Sequence, residues 1–341
     1  MAGLIIGCDD DLIQGPEPPF SAEFGFGAVV NAGGPGRITE LFAVSADGRQ
    51  RYVTLGLRCD NRAPAISPNG KSLVFESCDP TGTSRDLYRV EVDRLIPVNI
   101  TNSPVGESHP AWSPRGDWVA FLSDRGLYRT LELIGESGSG RAVLLETPSQ
   151  IDMGGWSPDG SFVVAAVDDP GGASSQIVTV SVPLAEQMQR TFGQGRRTDP
   201  RWAPDYGSIA YVRDGELWHL RLGPNEEERF PLPLDSVSGP LSWTPDARSL
   251  VMTGWSAGRT DICRVDVNDS SLAVLTRTDH PGTDPVVLPD GQSIVYLAFT
   301  GVNYKLFTMD LQGFGQRRVT TFRVEEFGPV ARPLSFNGSS P

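Results

Sequence analysis

Histidine is almost missing from this chain: His109, His219 and His280 are the only three in 341 residues. Three imidazoles are a thin supply for metal ligation or for acid–base chemistry near neutral pH. Cysteine is scarce as well, at Cys8, Cys59, Cys78 and Cys263. No CxxC pair and no zinc-ligand spacing occurs among them. No apolar run reaches the roughly 18 residues that a membrane-spanning helix needs. Basic blocks are absent too, and the net charge is −13. That balance argues against nucleic acid and against anionic membrane surfaces as partners. Neither a metal nor a cofactor is expected.

Turn residues, by contrast, are plentiful: 38 Gly and 28 Pro, as an all-β chain with many turns requires. They recur in order. "APAISPNGKSLVFES" begins at Ala63 and "HPAWSPRGDWVAFLSD" at His109. "GGWSPDGSFVVAAV" follows from Gly154, "DPRWAPDYGSIAYV" from Asp199, "GPLSWTPDARSLVM" from Gly239 and "DPVVLPDGQSIVYL" from Asp284. The six copies are spaced by 41 to 46 residues. That period marks a β-propeller with four strands per blade.

Each copy reads as a short inner strand, a Pro/Gly turn and an alternating second strand, apolar on both faces because a blade lies between two others. Third strands recur as "LFAVSA" (41), "LYRVEV" (87), "LYRTLE" (127), "IVTVSV" (177), "LWHLRL" (217), "ICRVDV" (262) and "LFTMDL" (306). These are seven, so seven blades are favoured and six are the alternative. The extra blade has "FGAVVNA" (26–32), "LFAVSADG" and "RQRYVT" as its second, third and fourth strands. Its inner strand is expected in the C-terminal "RPLSFNG", with Phe336 where Trp243 stands. N- and C-terminal strands then close the ring together and remove its free edges. The expected division is an N-terminal signal remnant and acidic, Pro-rich tether over 1–24, then the propeller over 25–341.

The combination of "WSPDG" (156–160), an alternating strand, "LYRV" (87–90) and a closing "LT" (275–276) resembles the WD40-like repeat of TolB-type propellers. The resemblance covers about residues 26–336. Asn69 and Arg115 depart from the Asp of the turn, Ala247 from its Gly, and Tyr206 reads as an insertion before Gly207. The resemblance implies a non-catalytic module of the bacterial cell envelope that binds a protein, a peptide or a glycan. The best-known member carries an α/β domain ahead of its propeller, for which these 341 residues are expected to leave no room, so its partners are not transferred. Two alternatives stand beside it. One is a metal-assisted enzyme at the channel mouth, as in sugar-acid lyases of similar shape, with His109 and His280 converging beside Asp199 and Asp284. The other is the accessory propeller of a peptidase system. "GESGSG" (135–140) is no nucleophile elbow, since Ser139 stands where the second Gly belongs.

Trp112, Trp156, Trp202 and Trp243 share one repeated position and are expected to pack between blades. "MAGLIIGCDDD" resembles the end of a lipoprotein signal, with lipid expected on Cys8, although a basic n-region and a longer apolar core are absent. Cys59 precedes the inner strand of the first repeat and Cys78 ends its second strand. Antiparallel pairing brings those points to one edge, so a disulfide is expected there. It suits an oxidising, periplasmic compartment. Cys263 is expected in the core.

Propeller function usually sits in loops around one mouth of the channel. His109, Asp199 and Asp284 each stand immediately before the Pro of an inner strand, with His280 nearby in the same connection as Asp284. They are the candidate binding residues, and capping of local backbone is the plainer reading of such short polar side chains. Trp255, in the loop "TGWSAGRTD", lies outside the repeated Trp position and is a candidate exposed contact. A monomer is expected, touching a membrane only through a lipid on Cys8.

Overall fold

The computed structural model describes residues 20–31, 38–54, 59–78, 82, 84–276, 280–321 and 324–334. Among them, all helical or extended structure is strand, arranged in seven four-stranded antiparallel sheets. Inner strands, in chain order, are Arg62–Ile66 (blade 1), Gly106–Trp112 (blade 2), Ile151–Trp156 (blade 3), Arg197–Trp202 (blade 4), Ser236–Trp243 (blade 5) and Gly282–Val287 (blade 6). The seventh, closing blade pairs Glu326–Ala331 with Ala22–Asn31, which continues to Ile38–Ser45 and Gln50–Tyr52. Each inner strand packs against those of the two neighbouring blades, and the contacts run once around and return to blade 1. The molecule is a seven-bladed propeller, closed by its own two ends.

No single core exists. The buried apolar side chains form seven clusters, one at each interface between blades. The second strands explain why. In Ser72–Cys78, Leu73 and Phe75 face the closing blade while Val74 faces blade 2. All three are fully buried. Period-2 alternation thus feeds two different interfaces, so a strand apolar at every position is what the architecture needs.

The third strands obey a second rule. Leu41, Leu87, Ile177 and Ile262 each donate their N–H to the hydroxyl of Thr54, Thr101, Thr191 or Thr276, at 2.8–2.9 Å. That hydroxyl stands just past the fourth strand and satisfies a buried backbone donor. The closing "LT" of the repeat is therefore a backbone requirement.

Four expectations need correcting. The third strand of blade 2 is Arg129–Gly135, in which Leu131 occupies the place of Leu87, so "LYRTLE" from 127 is four residues early. "LYRTLELIG" offers two apolar registers, and the one that buries Leu131, Leu133 and Ile134 wins. The inner strand of the closing blade is Glu326–Ala331, ahead of "RPLSFNG", and Phe336 lies outside the described residues. Tyr206 is no insertion either. The bond from Ala203 N–H to Ser208 O spans the same six residues as that from Ser157 N–H to Phe162 O. Tyr206 takes the left-handed position of Gly160, at φ +68° against +74°. The second strand of the closing blade also begins at Ala22, four residues before Phe26, because Ala22 and Phe24 continue its buried alternation.

The repeated Trp side chains tie blades together. Trp112 Nε1 donates to Ala65 O at 3.1 Å, Trp156 Nε1 to Ala111 O at 3.0 Å and Trp243 Nε1 to Arg201 O at 3.3 Å. Each acceptor lies at the same place on the preceding blade's inner strand. Trp202 packs against Phe162 and Tyr206 instead. Cys59 and Cys78 are disulfide-bonded, with Cα atoms 6.1 Å apart. Cys263 is buried between blades 4 and 5.

Candidate functional site

The connections between blades and the hairpins joining second to third strands form one face, the mouth. The Ser-Pro turns and the third-to-fourth hairpins form the opposite face. The segment before Ala22 joins that opposite face, where Ser21 Oγ bonds Asn69 O and Ala22 N–H bonds Gly70 O.

His109, Asp199 and Asp284 lie inside inner strands, at β-bulges, and not in the connecting loops. Strand pairing already begins at Gly106, Arg197 and Gly282. All three have left-handed backbone, at φ +55°, +52° and +51°. Ala63 and Gly328 do the same ahead of Pro64 and Pro329, at φ +47° and +57°. His, Asp and Gly are among the residue types that tolerate this region best. Their N–H groups bond the preceding blade: His109 to Glu76 Oε1 at 2.8 Å, Asp199 to Asp152 Oδ2 at 2.6 Å, Asp284 to Thr253 Oγ1 at 3.2 Å. The recurring polar residue before Pro is thus explained by the bulge. Its own amide is the bonded group, so the capping runs from the neighbouring blade inward.

Burial, and next the charge of Asp152, hold the Asp199 carboxyl above the usual range, against the opposing pull of Arg201, Thr198 and the Gly239 N–H. Burial does the same to Asp284, opposed by Thr283. Asp199 lies hard against blade 5, where a Cβ on Gly239 would stand 2.2 Å from its Cγ. His109 and His280 are both exposed, but they belong to blades 2 and 6, which are not neighbours in the ring. Among the described residues, no three His, Cys, Asp or Glu side chains converge as a metal-ligand set.

Trp255 is the penultimate residue of the second strand Ser249–Ser256, paired with Ser236 and Thr260. The hairpin turn is Ala257–Gly258, both at positive φ, the geometry that a two-residue hairpin favours. Trp255 is 45% exposed. Other hairpin tips on this face also carry exposed apolar side chains: Leu127 at 83% with Tyr128 on blade 2, and Val302 at 81% on blade 6.

A cavity of about 290 Å³ opens in the mouth between blades 2, 3 and 4. It brings His109 together with Asp152, Asp168 and Arg196, above an apolar wall of Ile151 and Met153. Asp199, Asp284, His280 and Trp255 do not line it. Asp152 escaped sequence reasoning because blade 3 lacks the dipeptide that ends in Pro: "IDMGGW" has Gly154 where the others have Pro. A larger groove of about 1000 Å³ lies on the opposite face between blades 1 and 2, with Lys71, Arg89 and Arg115 balanced by Glu91, Asp93 and Glu136.

A family model described as the TolB beta propeller domain matches residues 136–333. The chain is 27% identical over 160 residues to an uncharacterized protein of Agrobacterium fabrum, covering 43% of this chain and 53% of that one. It is 24% identical over 277 residues to dipeptidyl-peptidase 5 of Porphyromonas gingivalis, covering 72% of this chain and 39% of that one. The matches thus span about half or less of these relatives' length. Among solved structures, TolB from Acinetobacter baumannii aligns with a TM-score of 0.56 at 15% identity, over 90% of this chain and 82% of that one. Oligogalacturonate lyase from Vibrio parahaemolyticus aligns with a TM-score of 0.64 at 12% identity, over 81% and 84%. At such identities the likeness is one of fold alone.

Proposed function

We propose, because the chain belongs to the TolB β-propeller domain family, that it is a non-catalytic binding module of the bacterial cell envelope whose protein or peptide partner docks on the mouth face. One observation carries this reading: Leu127 and Val302 stand largely in solvent, and Trp255 nearly half so, on hairpin tips of that face. Large apolar side chains presented at loop tips supply anchors that a partner can bury; Ile96, Leu184 and Phe314 are as exposed on the opposite face, so matched variants on both faces decide between them. The wall groups His109, Asp199 and Asp284 are already committed, through their amides, to the fold. That favours binding over catalysis, and Trp255 and His280 are proposed as contacts.

The Cys59–Cys78 bond supports an oxidising compartment. A lipid on Cys8, which lies outside the described residues, would tether the opposite face, since Ser21 and Ala22 join the propeller there. The mouth would then point away from the membrane.

The test compares capture of cross-linked partners from envelope extract by matched variants. Leu127→Asp, Trp255→Ala and Val302→Asp should lose the captured protein. Phe314→Asp, which alters an equally exposed residue on the opposite face (71%), should retain it. Loss with Phe314→Asp and retention with all three mouth variants would reverse the docking face.

A further inference from the structure

We propose that the mouth cavity between blades 2, 3 and 4 receives an alkylammonium group of the partner, a lysine side chain or a chain N-terminus, with the ammonium on Asp152 and the alkyl stem along Ile151, Met153 and Leu122. The inference rests on the binding-module reading and names the chemistry that its mouth selects. The cavity holds about 290 Å³, below the range of drug-sized sites and suited to one long side chain.

Hydrogen-bond accounting decides the sign of the ligand. Arg197 is fully buried and spent: its guanidinium bonds Ser175 O, Gly195 O, Phe192 O and Glu227. Arg196 stands 3.9 Å from Asp168, which balances it. Asp152 has no ionic partner among the described residues. Its Oδ2 accepts one bond, the Asp199 N–H at 2.6 Å, and no cation lies within ion-pair distance among the described residues. An ionised carboxylate has about four acceptor sites, so most of its capacity faces the cavity. Behind the wall the charge is again negative: Asp199, next to the wall residue Thr198, interacts with Asp152 across the blade interface. A carboxylate ligand would meet the carboxylates of Asp152 and Asp168 in the wall. A wholly apolar ligand would desolvate Asp152 without replacing its water. An ammonium supplies three donors and a positive charge to the unpaired group. Leu122 and Ile151, each 8% exposed, then cover its methylenes, the division of labour that long cationic side chains favour.

The experiment titrates three probes into the intact protein and follows their binding by NMR. Nα-acetyl-lysinamide presents a side-chain ammonium, leucinamide a terminal one, and Nα-acetyl-norleucinamide is the neutral counterpart. At least one ammonium probe should bind tenfold or more tightly than the neutral one, and which does so separates side chain from terminus. Asp152→Asn should weaken that probe at least tenfold. It keeps an oxygen for the Asp199 N–H, so the bulge should survive. Asp290→Asn, on the opposite face, should change binding less than twofold and controls for net charge. Met153→Lys places an ammonium in the cavity covalently and should abolish probe binding even if Asp152→Asn proves unstable. Equal binding of the neutral probe, or unchanged binding in both cavity variants, overturns the proposal. Partner capture that still depends on Leu127 and Trp255 would then leave the docking face standing and remove only the ammonium site.

Discussion

Removing the guanidinium of Arg141 should unfold blade 2 preferentially, and its cost follows from what it leaves behind. Arg141 Nε bonds Glu132 Oε2 at 2.6 Å, and Nη2 bonds Glu107 Oε1 at 3.0 Å. Both glutamate side chains are fully buried. The guanidinium also lies over the Phe121 ring, 5.2 Å from its centroid. Burial raises the Glu107 carboxyl above its usual range despite Ser103 and Arg141. Burial would raise Glu132 too, but Arg141, Thr130 and Arg125 outweigh it and hold it low. In Arg141→Met the stem packing remains and the charge goes. Glu132 keeps Arg125, while Glu107 is left a buried, unpaired carboxylate. Breaking a buried pair in this way costs about 3–5 kcal/mol. The loss depends on pH with a definite sign. Glu107, its pKa raised further in the variant, destabilises the fold when ionised. The deficit is therefore largest at pH 7 and shrinks as the pH falls through that raised pKa and protonates it. Urea unfolding of both proteins at pH 7 and pH 5 measures this. A loss under about 1 kcal/mol at pH 7, or a loss equal at both values, would refute the reasoning.

Reducing the disulfide, or replacing Cys59 and Cys78 by Ser, opens a loop of sequence separation 19. Chain entropy sets the loss at about 3 kcal/mol, read as a lower urea midpoint; no change would mean that the surrounding blade already restricts that loop in the unfolded chain. Gly239→Ala drives a methyl into Asp199 and should cost about 1–3 kcal/mol by calorimetry; an unchanged melting temperature would show that the Asp199 side chain gives way freely. Asp199→Asn replaces a carboxyl that burial and Asp152 hold above its usual range. Its ionised form costs stability above that raised pKa, so the variant should melt higher than the parent at neutral pH, with the gap closing as the pH falls through it; a gap that widens toward acid would contradict the sign.

Much of the fold was legible because its punctuation repeats. Ser-Pro-x-Gly turns and apolar second strands located six blades, and the seventh followed from an unpaired third strand. The misplaced pieces share one physical cause. Apolar alternation specifies that a strand exists but not its register when two registers are both apolar, as in "LYRTLELIG". Burial then decides, and burial is a property of the neighbouring blade. The closing inner strand was misplaced for a related reason. Phe336 resembled the repeated Trp, whereas the feature shared by the inner strands of blades 1, 2, 4 and 6 is a left-handed residue before Pro, here Gly328–Pro329.

The same distinction reorders the site. A polar residue recurring before Pro looked like a convergent ligand set, yet recurrence is the mark of a backbone demand: every inner strand must bulge, and His, Asp and Gly meet that demand at least cost. Departures from the repeat carry more information about function, because the fold does not require them. Leu127 and Tyr128 protrude only because the third strand of blade 2 starts later than the pattern suggests. Trp255 ends a strand in a blade whose repeated Trp243 is already in place. Asp152 stands in the one inner strand of blades 1–6 without a Pro, where Gly154 lets Pro200 O come within 1.9 Å of where a Cβ would be. That close approach of blades 3 and 4 places the Asp199 amide on Asp152, which also lines the mouth cavity. In a ring of near-equivalent blades, a binding surface has to be built from positions where equivalence fails, and Leu127, Trp255 and Asp152 are three such positions on the mouth face.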